Sequence, residues 1–157
     1  MSETGGTGPQ DSAVMKIMTQ RFGEMEIHPD SIVTVIGGII GFPDLTRYVL
    51  IQRPHDAPFY WLQCLDDPTL ALVLVDPVLF KSDYAPSLPP GLTHDLGDGG
   101  GKVVLFAIVT IPQGRPQDMT ANLLGPLAMN PATRRARQLV LDDRLYTHRH
   151  PIIPDSK

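Results

Sequence analysis

A single cysteine, a single tryptophan and no long apolar run are the first constraints this chain sets. One cysteine, Cys64, excludes an intrachain disulfide and any cysteine-rich zinc cage, suits a reducing compartment, and is most simply a small core residue. No apolar stretch approaches the roughly 18 to 20 residues that a membrane span needs. The N-terminus lacks the charged segment followed by an apolar one that marks a secretory signal, so a cytoplasmic location with no membrane attachment is expected. Excess positive charge is missing as well: a formal net charge of −4 and a pI near 5.6 argue against a main task of gripping phosphate backbones. Absent too are a nucleophile elbow, a Walker loop and a dinucleotide fingerprint. The stretch from Gly37 to Gly41 is glycine-rich, but Phe42, Pro43 and a strand follow it, where a phosphate cradle needs a helix N-terminus. Those glycines are better read as positive-φ residues of a turn.

Proline is abundant. Sixteen prolines in 157 residues leave hardly a window for a ten-residue helix, which excludes a doubly wound α/β fold. The length suits one domain with a real core. Residues 1–13 carry no periodic apolar positions and are expected to be a disordered tail, with a folded domain over 14–152 and a short C-terminal tail over 153–157. From Met15 onward, short runs rich in Val, Ile and aromatics are punctuated by Gly, Pro or Asp: 15–20, 24–28, 32–36, 47–52, 59–65, 70–75, 103–110, 119–123, 127–130 and 134–141. That rhythm predicts an all-β, compact antiparallel barrel-like single domain. The runs 71–75 and 103–109 are apolar at consecutive positions, so both faces need cover, one inside the barrel and the other under a loop or a partner. Asn130 to Thr133 reads as a hairpin connection, and residues 95–101 as a flexible glycine-rich loop. Between residues 87 and 96 one helical turn at most is expected, with Pro90 suited to a first helical position.

Charge is unevenly placed. Seven aspartates (56, 66, 67, 76, 83, 95 and 98) face one lysine, Lys81, in the middle of the chain, whereas Arg134, Arg135, Arg137, Arg144 and Arg149 crowd the last third. Candidate chemistry is thin. His148 and His150, two apart, share a strand face in a spacing that metal sites use, but no third ligand lies close in sequence, so no metal is expected. His28, His55 and His94 read as solvated loop residues. Asp66 and Asp67 before Pro68 read as a turn starter rather than an acid/base pair, and Asp76 before Pro77 as a strand end. With no converging constellation, neither turnover nor a bound cofactor is expected. Arg135 and Arg137 share one strand face with Arg134 opposite, a pattern of charged edge strands.

Four short segments, taken in order, carry a resemblance. They are Gly38-Ile39-Ile40-Gly41-Phe42-Pro43, Leu62-Gln63-Cys64, Asp76-Pro77 through Asp83-Tyr84, and Ala121-Asn122-Leu123-Leu124-Gly125-Pro126. Arg134 to Leu141 adds a polar start running through Gln138 into aliphatics, and Arg149-His150-Pro151 a matching tail. Together they resemble the FliW family of flagellar assembly factors from about Val14 to Pro151. The chain departs from the family pattern at Val35-Ile36, where Phe-Pro is common, at Cys64, where serine is usual, and most of all over 85–102, where the family's short helix is compressed.

The resemblance implies a non-enzymatic, partner-switching regulator that binds flagellin and, when flagellin is exported, binds the translational regulator CsrA and so relieves repression of flagellin synthesis. It implies no direct contact with nucleic acid, and the free protein is expected to be a monomer. The partner-contact set expected on this basis is Ile39, Phe42, Pro43, Asp76, Pro77, Phe80, Asp83, Tyr84, Asn122, Leu123 and Pro126. Tyr60, Trp61, Phe42, Phe80 and Tyr84 are expected to cluster with aspartates 66 to 83 around them. The opposing reading makes Phe42, Phe80 and Asn122 core or turn residues. Two other classes stay open: a small flavin- or nucleotide-binding barrel enzyme, and an RNA-binding barrel.

Overall fold

The computed structural model describes residues 14–97, 102–142 and 144–152, so the expected tails 1–13 and 153–157 and most of the glycine-rich loop lie outside the described residues. Among the described residues ten strands and one α-helix follow in order: β1 (Met15–Thr19), β2 (Gly23–Ile27), β3 (Ile32–Val35), β4 (Arg47–Ile51), β5 (Tyr60–Cys64), β6 (Ala71–Val75), α1 (Leu92–Leu96), β7 (Val104–Thr110), β8 (Thr120–Asn130), β9 (Arg135–Gln138) and β10 (His150–Pro151). Strands β3 to β8 form an antiparallel meander. β9 then pairs antiparallel with β8 and parallel with β3, which closes a seven-stranded barrel. The short β10 adds to the N-terminal half of β8, and β1 and β2 form a separate hairpin.

The barrel follows from alternation. Val33 and Val35, Leu62 and Cys64, Leu74, Leu127 and Met129, and Ala136 point inward and form one buried cluster with Tyr48 and Phe106. The opposite faces are apolar as well and are covered by other parts of the same chain. Val73, Val75, Ala107 and Val109 pack under Phe80, Tyr84, Tyr146 and Ile152. Val49 lies under Ile17 and Ile27 of the hairpin, and Ala128 under Leu92 and Leu96 of α1. Both double-sided runs therefore find their outer cover in the chain's own loops.

Several sequence expectations need correction. The runs 119–123 and 127–130 are one strand, β8, interrupted by a wide bulge: Phe106 pairs with Leu127 and Ile108 with Asn122, so residues 123–126 oppose Ala107 alone. β9 is not an edge strand, because it is paired on both sides, and it spans only Arg135–Gln138. Arg134 sits outside it, in the turn, at φ 60°. The one-turn helix is present, but its N-cap is Gly91 at φ 84°, which puts Pro90 before the helix. The hairpin at Asn130 is as expected, with the Asn130 side-chain oxygen accepting from the N–H of Ala132 (2.9 Å).

Tyr48 is fully buried in the barrel, and among the described residues its hydroxyl meets no hydrogen-bond partner. Burial pushes its phenol up to about 12, with smaller contributions from Cys64 and Asp67. Because the unfolded chain releases this proton near pH 10 and the folded one near 12, folding stability falls as pH rises through that window and is unaffected below it. Tyr48→Phe should leave stability unchanged or raise it by up to about 1 kcal/mol at neutral pH, since it removes an unmatched buried polar atom. It should also flatten the decline between pH 10 and 12. Urea denaturation across pH tests both, and a loss above about 1 kcal/mol at neutral pH would reveal an unseen partner for the hydroxyl.

Candidate functional site

The turn after β3 is shaped by glycine. Gly37, Gly38 and Gly41 all have positive φ, and a Cβ on Gly38 would lie 2.5 Å from the Phe42 carbonyl oxygen and 2.7 Å from Pro43. No larger residue fits there. The turn is closed by Phe42 N–H donating to the Ile39 carbonyl (2.7 Å). It drives Ile39 into the barrel and leaves Ile40 and Phe42 exposed, at 65% and 40%.

The turn is fastened to the β8 bulge by one side chain. Ile40 N–H donates to Gln138 Oε1 (2.7 Å), and Gln138 Nε2 donates to the Gly125 carbonyl (2.9 Å). Within the bulge, Asn122 Oδ1 accepts from the N–H groups of Leu124 (3.0 Å) and Gly125 (2.8 Å). A Cβ on Gly125 would approach Asn122 Nδ2 to 2.9 Å and Gln138 Nε2 to 3.0 Å, so the Asn-x-x-Gly spacing and the distant glutamine are one steric unit. The remaining bulge backbone is matched from outside: Leu139 N–H donates to Pro126, Leu141 N–H to Leu124, and Tyr84 Oη to the Leu123 carbonyl (2.7 Å).

Two depressions result. The first, about 400 Å³, is lined by Ile39, Ile40, Phe42, Leu72, Ile108, Thr110, Thr120, Asn122, Gln138, His148 and Arg149. The second, also about 400 Å³, is lined by Tyr60, Asp76, Pro77, Val78, Tyr84 and the start of β7 from Val104 to Phe106. The expected contact residues divide between them. Ile39, Phe42 and Asn122 meet at the first, with exposed Pro43 next in sequence; Asp76, Pro77 and Tyr84 meet at the second. Phe80 stacks on His150 with ring centroids 5.6 Å apart, and Asp83 is exposed and paired with Lys81 (2.7 Å). Leu123 and Pro126 are buried in the bulge and Tyr84 is 6% exposed, so these three offer little side-chain surface. Sequence reasoning missed Ile40, Gln138, His148 and Arg149 as parts of the first depression.

The expected single aromatic cluster is instead divided. Trp61 meets Phe22 edge-on at 6.0 Å, with the Arg21 guanidinium 4.1 Å above its ring; Tyr60 pairs with Phe106, and Tyr84 with Tyr146. The acidic middle is largely matched locally. Asp66 pairs with Arg47 (2.6 Å), Asp56 with Arg53 (3.0 Å) and Asp95 with Arg137, while Asp67 accepts from Thr69 and Asp76 from Val78 N–H. The hydrogen bond from Arg47, and then its charge, hold the Asp66 carboxyl below its ordinary range. Among the described residues no three His, Cys, Asp or Glu side chains come together as a metal site, and no helix is long and apolar enough to cross a membrane.

Residues 16–152 match the family model described as FliW protein. The chain belongs to the FliW family. It is 39% identical to the flagellar assembly factor FliW of Moorella thermoacetica over 143 residues, covering 90% of each chain. It is 40% identical to that of Geobacter sulfurreducens over 138 residues, covering 87% of this chain and 86% of the relative. A crystal structure of the flagellar assembly factor FliW superposes with a TM-score of 0.80 at 32% identity, covering 91% of this chain and all of the other. The FliW resemblance and the β-barrel expected from the sequence therefore both hold.

Two measurements test this construction. Gln138→Ala removes the partner of the exposed Ile40 N–H and of the part-buried Gly125 carbonyl and should cost about 1 kcal/mol by chemical denaturation. A neutral result would show that the turn and bulge hold themselves. Cys64 is buried, and burial pushes its thiol up, while hydrogen bonds from the backbone of Asp66 and Asp67 pull the other way. Since a serine oxygen would accept those same bonds, Cys64→Ser should fold within about 1 kcal/mol of wild type. The native thiol should resist a disulfide reagent until the chain is unfolded. Rapid native labelling would place the thiol at the surface.

Proposed function

We propose that this chain is a flagellar assembly factor that works by binding, holding flagellin in one state and the translational regulator CsrA in another, and so coupling flagellin export to relief of flagellin repression. The curated FliW relatives carry the name flagellar assembly factor, and the family match supports carrying that role over. The observation that favours a binding mode is the exposed pair Ile40 and Phe42, held on a glycine turn that Gln138 ties to the bulge, beside a groove of about 400 Å³. Apolar side chains kept at the surface in a fixed geometry lose little entropy on docking, which is what an interface anchor requires. Location in the cytoplasm, where both proposed partners are made, belongs to the same reading.

Phe42 and Tyr84 line different depressions, so this reading uses two linked sites rather than one shared surface. Linkage makes the antagonism reciprocal: each partner lowers the other's affinity by one common factor. Local pairing of Asp66 and Asp83 leaves a weaker acidic field than the bare sequence implies, so contact rather than charge repulsion dominates the proposed switch.

Titration calorimetry with purified partners provides the test. Flagellin should displace CsrA from the chain, and the loss of CsrA affinity should equal the loss of flagellin affinity measured the other way round. Phe42→Ala should weaken at least one partner about tenfold or more with an unchanged melting curve. A stable ternary complex at undiminished affinities would remove the switch, and tight binding of neither partner would remove the reading.

A further inference from the structure

The first groove combines two unlike chemistries. Ile39, Phe42, Leu72 and Ile108 contribute apolar surface, and His148 and Arg149 contribute a cationic margin. No acidic residue lines it. Arg149 is exposed, and its place is fixed through two bonds: its N–H donates to Thr147 Oγ1 (2.9 Å), and Leu123 N–H in the bulge donates to the Thr147 carbonyl (3.0 Å). Among the described residues Arg149 has no carboxylate within ion-pair distance; other exposed cations such as Arg134, Arg135 and Arg144 share that state, but none of them lines this groove. In a chain of net charge −4 this is an unmatched cation held against an apolar groove.

An occupant complementary to that arrangement carries apolar side chains and a carboxylate. The carboxylate comes from a side chain rather than a chain end, because capture of a C-terminus relies on free backbone N–H groups. Three of those nearby are already engaged: Ile40 N–H by Gln138, and Leu124 and Gly125 N–H by Asn122. A side-chain carboxylate needs only the guanidinium fork, which it can meet in two parallel hydrogen bonds. Nucleic acid fits less well, since Phe42 and His148 are the aromatic rings in the lining, Ile39, Ile40, Leu72 and Ile108 make up much of the rest, and the chain's net charge of −4 opposes a phosphate backbone. We infer that the groove receives a segment of a protein partner in which apolar side chains flank an aspartate or glutamate, with Arg149 pairing the carboxylate. This rests on the reading of the chain as a binding protein and gives that binding its chemistry.

Short fluorescently labelled peptides with a leucine and isoleucine framework and a central Glu, Gln or Lys test it by anisotropy against the full chain. The Glu peptides should bind at least about tenfold tighter than their Gln counterparts. That preference should vanish in Arg149→Gln and persist in Arg144→Gln, an exposed arginine outside the groove. Equal or tighter binding of Gln or Lys peptides, a Glu preference that survives Arg149→Gln, or no binding by any peptide at millimolar concentration overturns the inference. Purified flagellin separates the two readings. If flagellin binds wild type and Arg149→Gln alike and the peptides show no Glu preference that depends on Arg149, the groove chemistry is wrong and the assembly role stands. If the Glu preference depends on Arg149 and flagellin does not bind, the groove chemistry stands and the flagellin reading falls.

Discussion

The amide of Gln138 fastens the turn after β3 to the β8 bulge, two irregular segments that the strand ladders bring near each other but do not bond. It accepts from Ile40, 98 residues earlier, and donates to Gly125, 13 residues earlier. Only a group that is donor and acceptor at once, at that reach from the backbone, satisfies both orphaned atoms; a carboxylate or an alkyl chain leaves at least one bare. The glycines at 38 and 125 are the steric counterpart of the same arrangement, since a Cβ at either would strike backbone or the amides that make it. What these contacts position is a small surface: Ile40 and Phe42 on one side, and Asn122 with the segment carrying His148 and Arg149 on the other.

The barrel itself explains why that surface can be apolar without inviting aggregation. Closure by β9 removes the exposed strand edges that would template further pairing, and the outer faces of β4, β6, β7 and β8 are covered by the hairpin, α1 and the segments around Tyr84 and Tyr146. Much of the apolar exposure sits outside the strands, at Ile40, Leu79, Val140 and Leu145, with Met18 of β1 the main exception. Hairpin connections build the meander, all short but the one between β6 and β7, which runs over 76–103 and carries α1, so most of its pairing is local in sequence.

How much of this the sequence shows depends on the range of each contact. Strand periodicity, turn glycines and proline density are local, and from them come the all-β barrel, the turn at 37–41 and the single helical turn. The double-sided runs at β6 and β7 even revealed that outer cover was needed, though not that Phe80, Tyr84 and Tyr146 supply it. The single aromatic cluster failed because neighbouring strand residues face opposite ways: Trp61 turns to Phe22 and Tyr60 to Phe106. The edge-strand reading of β9 failed because parallel pairing with β3 is a closure property that alternating arginines do not reveal. Gln138 and Arg149 were visible as parts of a family-like strand and tail, but their role depends on partners far off in sequence.

The bulge also relates the two depressions to each other. Asn122 lines the first, and the next residue, Leu123, offers its carbonyl to the hydroxyl of Tyr84, which lines the second. Leu123 N–H is in turn held by Thr147, next to the groove residues His148 and Arg149. The backbone between the depressions thus carries no slack: residues 123–126 are bonded to Asn122, Gln138, Leu139, Leu141 and Tyr84. A partner that shifts Tyr84 must lengthen its bond to Leu123 or move the bulge, and a moved bulge displaces Asn122 and the Gln138 amide. Coupling between sites needs an element whose geometry both sites bias. In this fold the β8 bulge is the element bonded to residues of both depressions: Asn122 and Gln138 of the first, Tyr84 of the second, together with backbone N–H groups of Leu139 and Leu141.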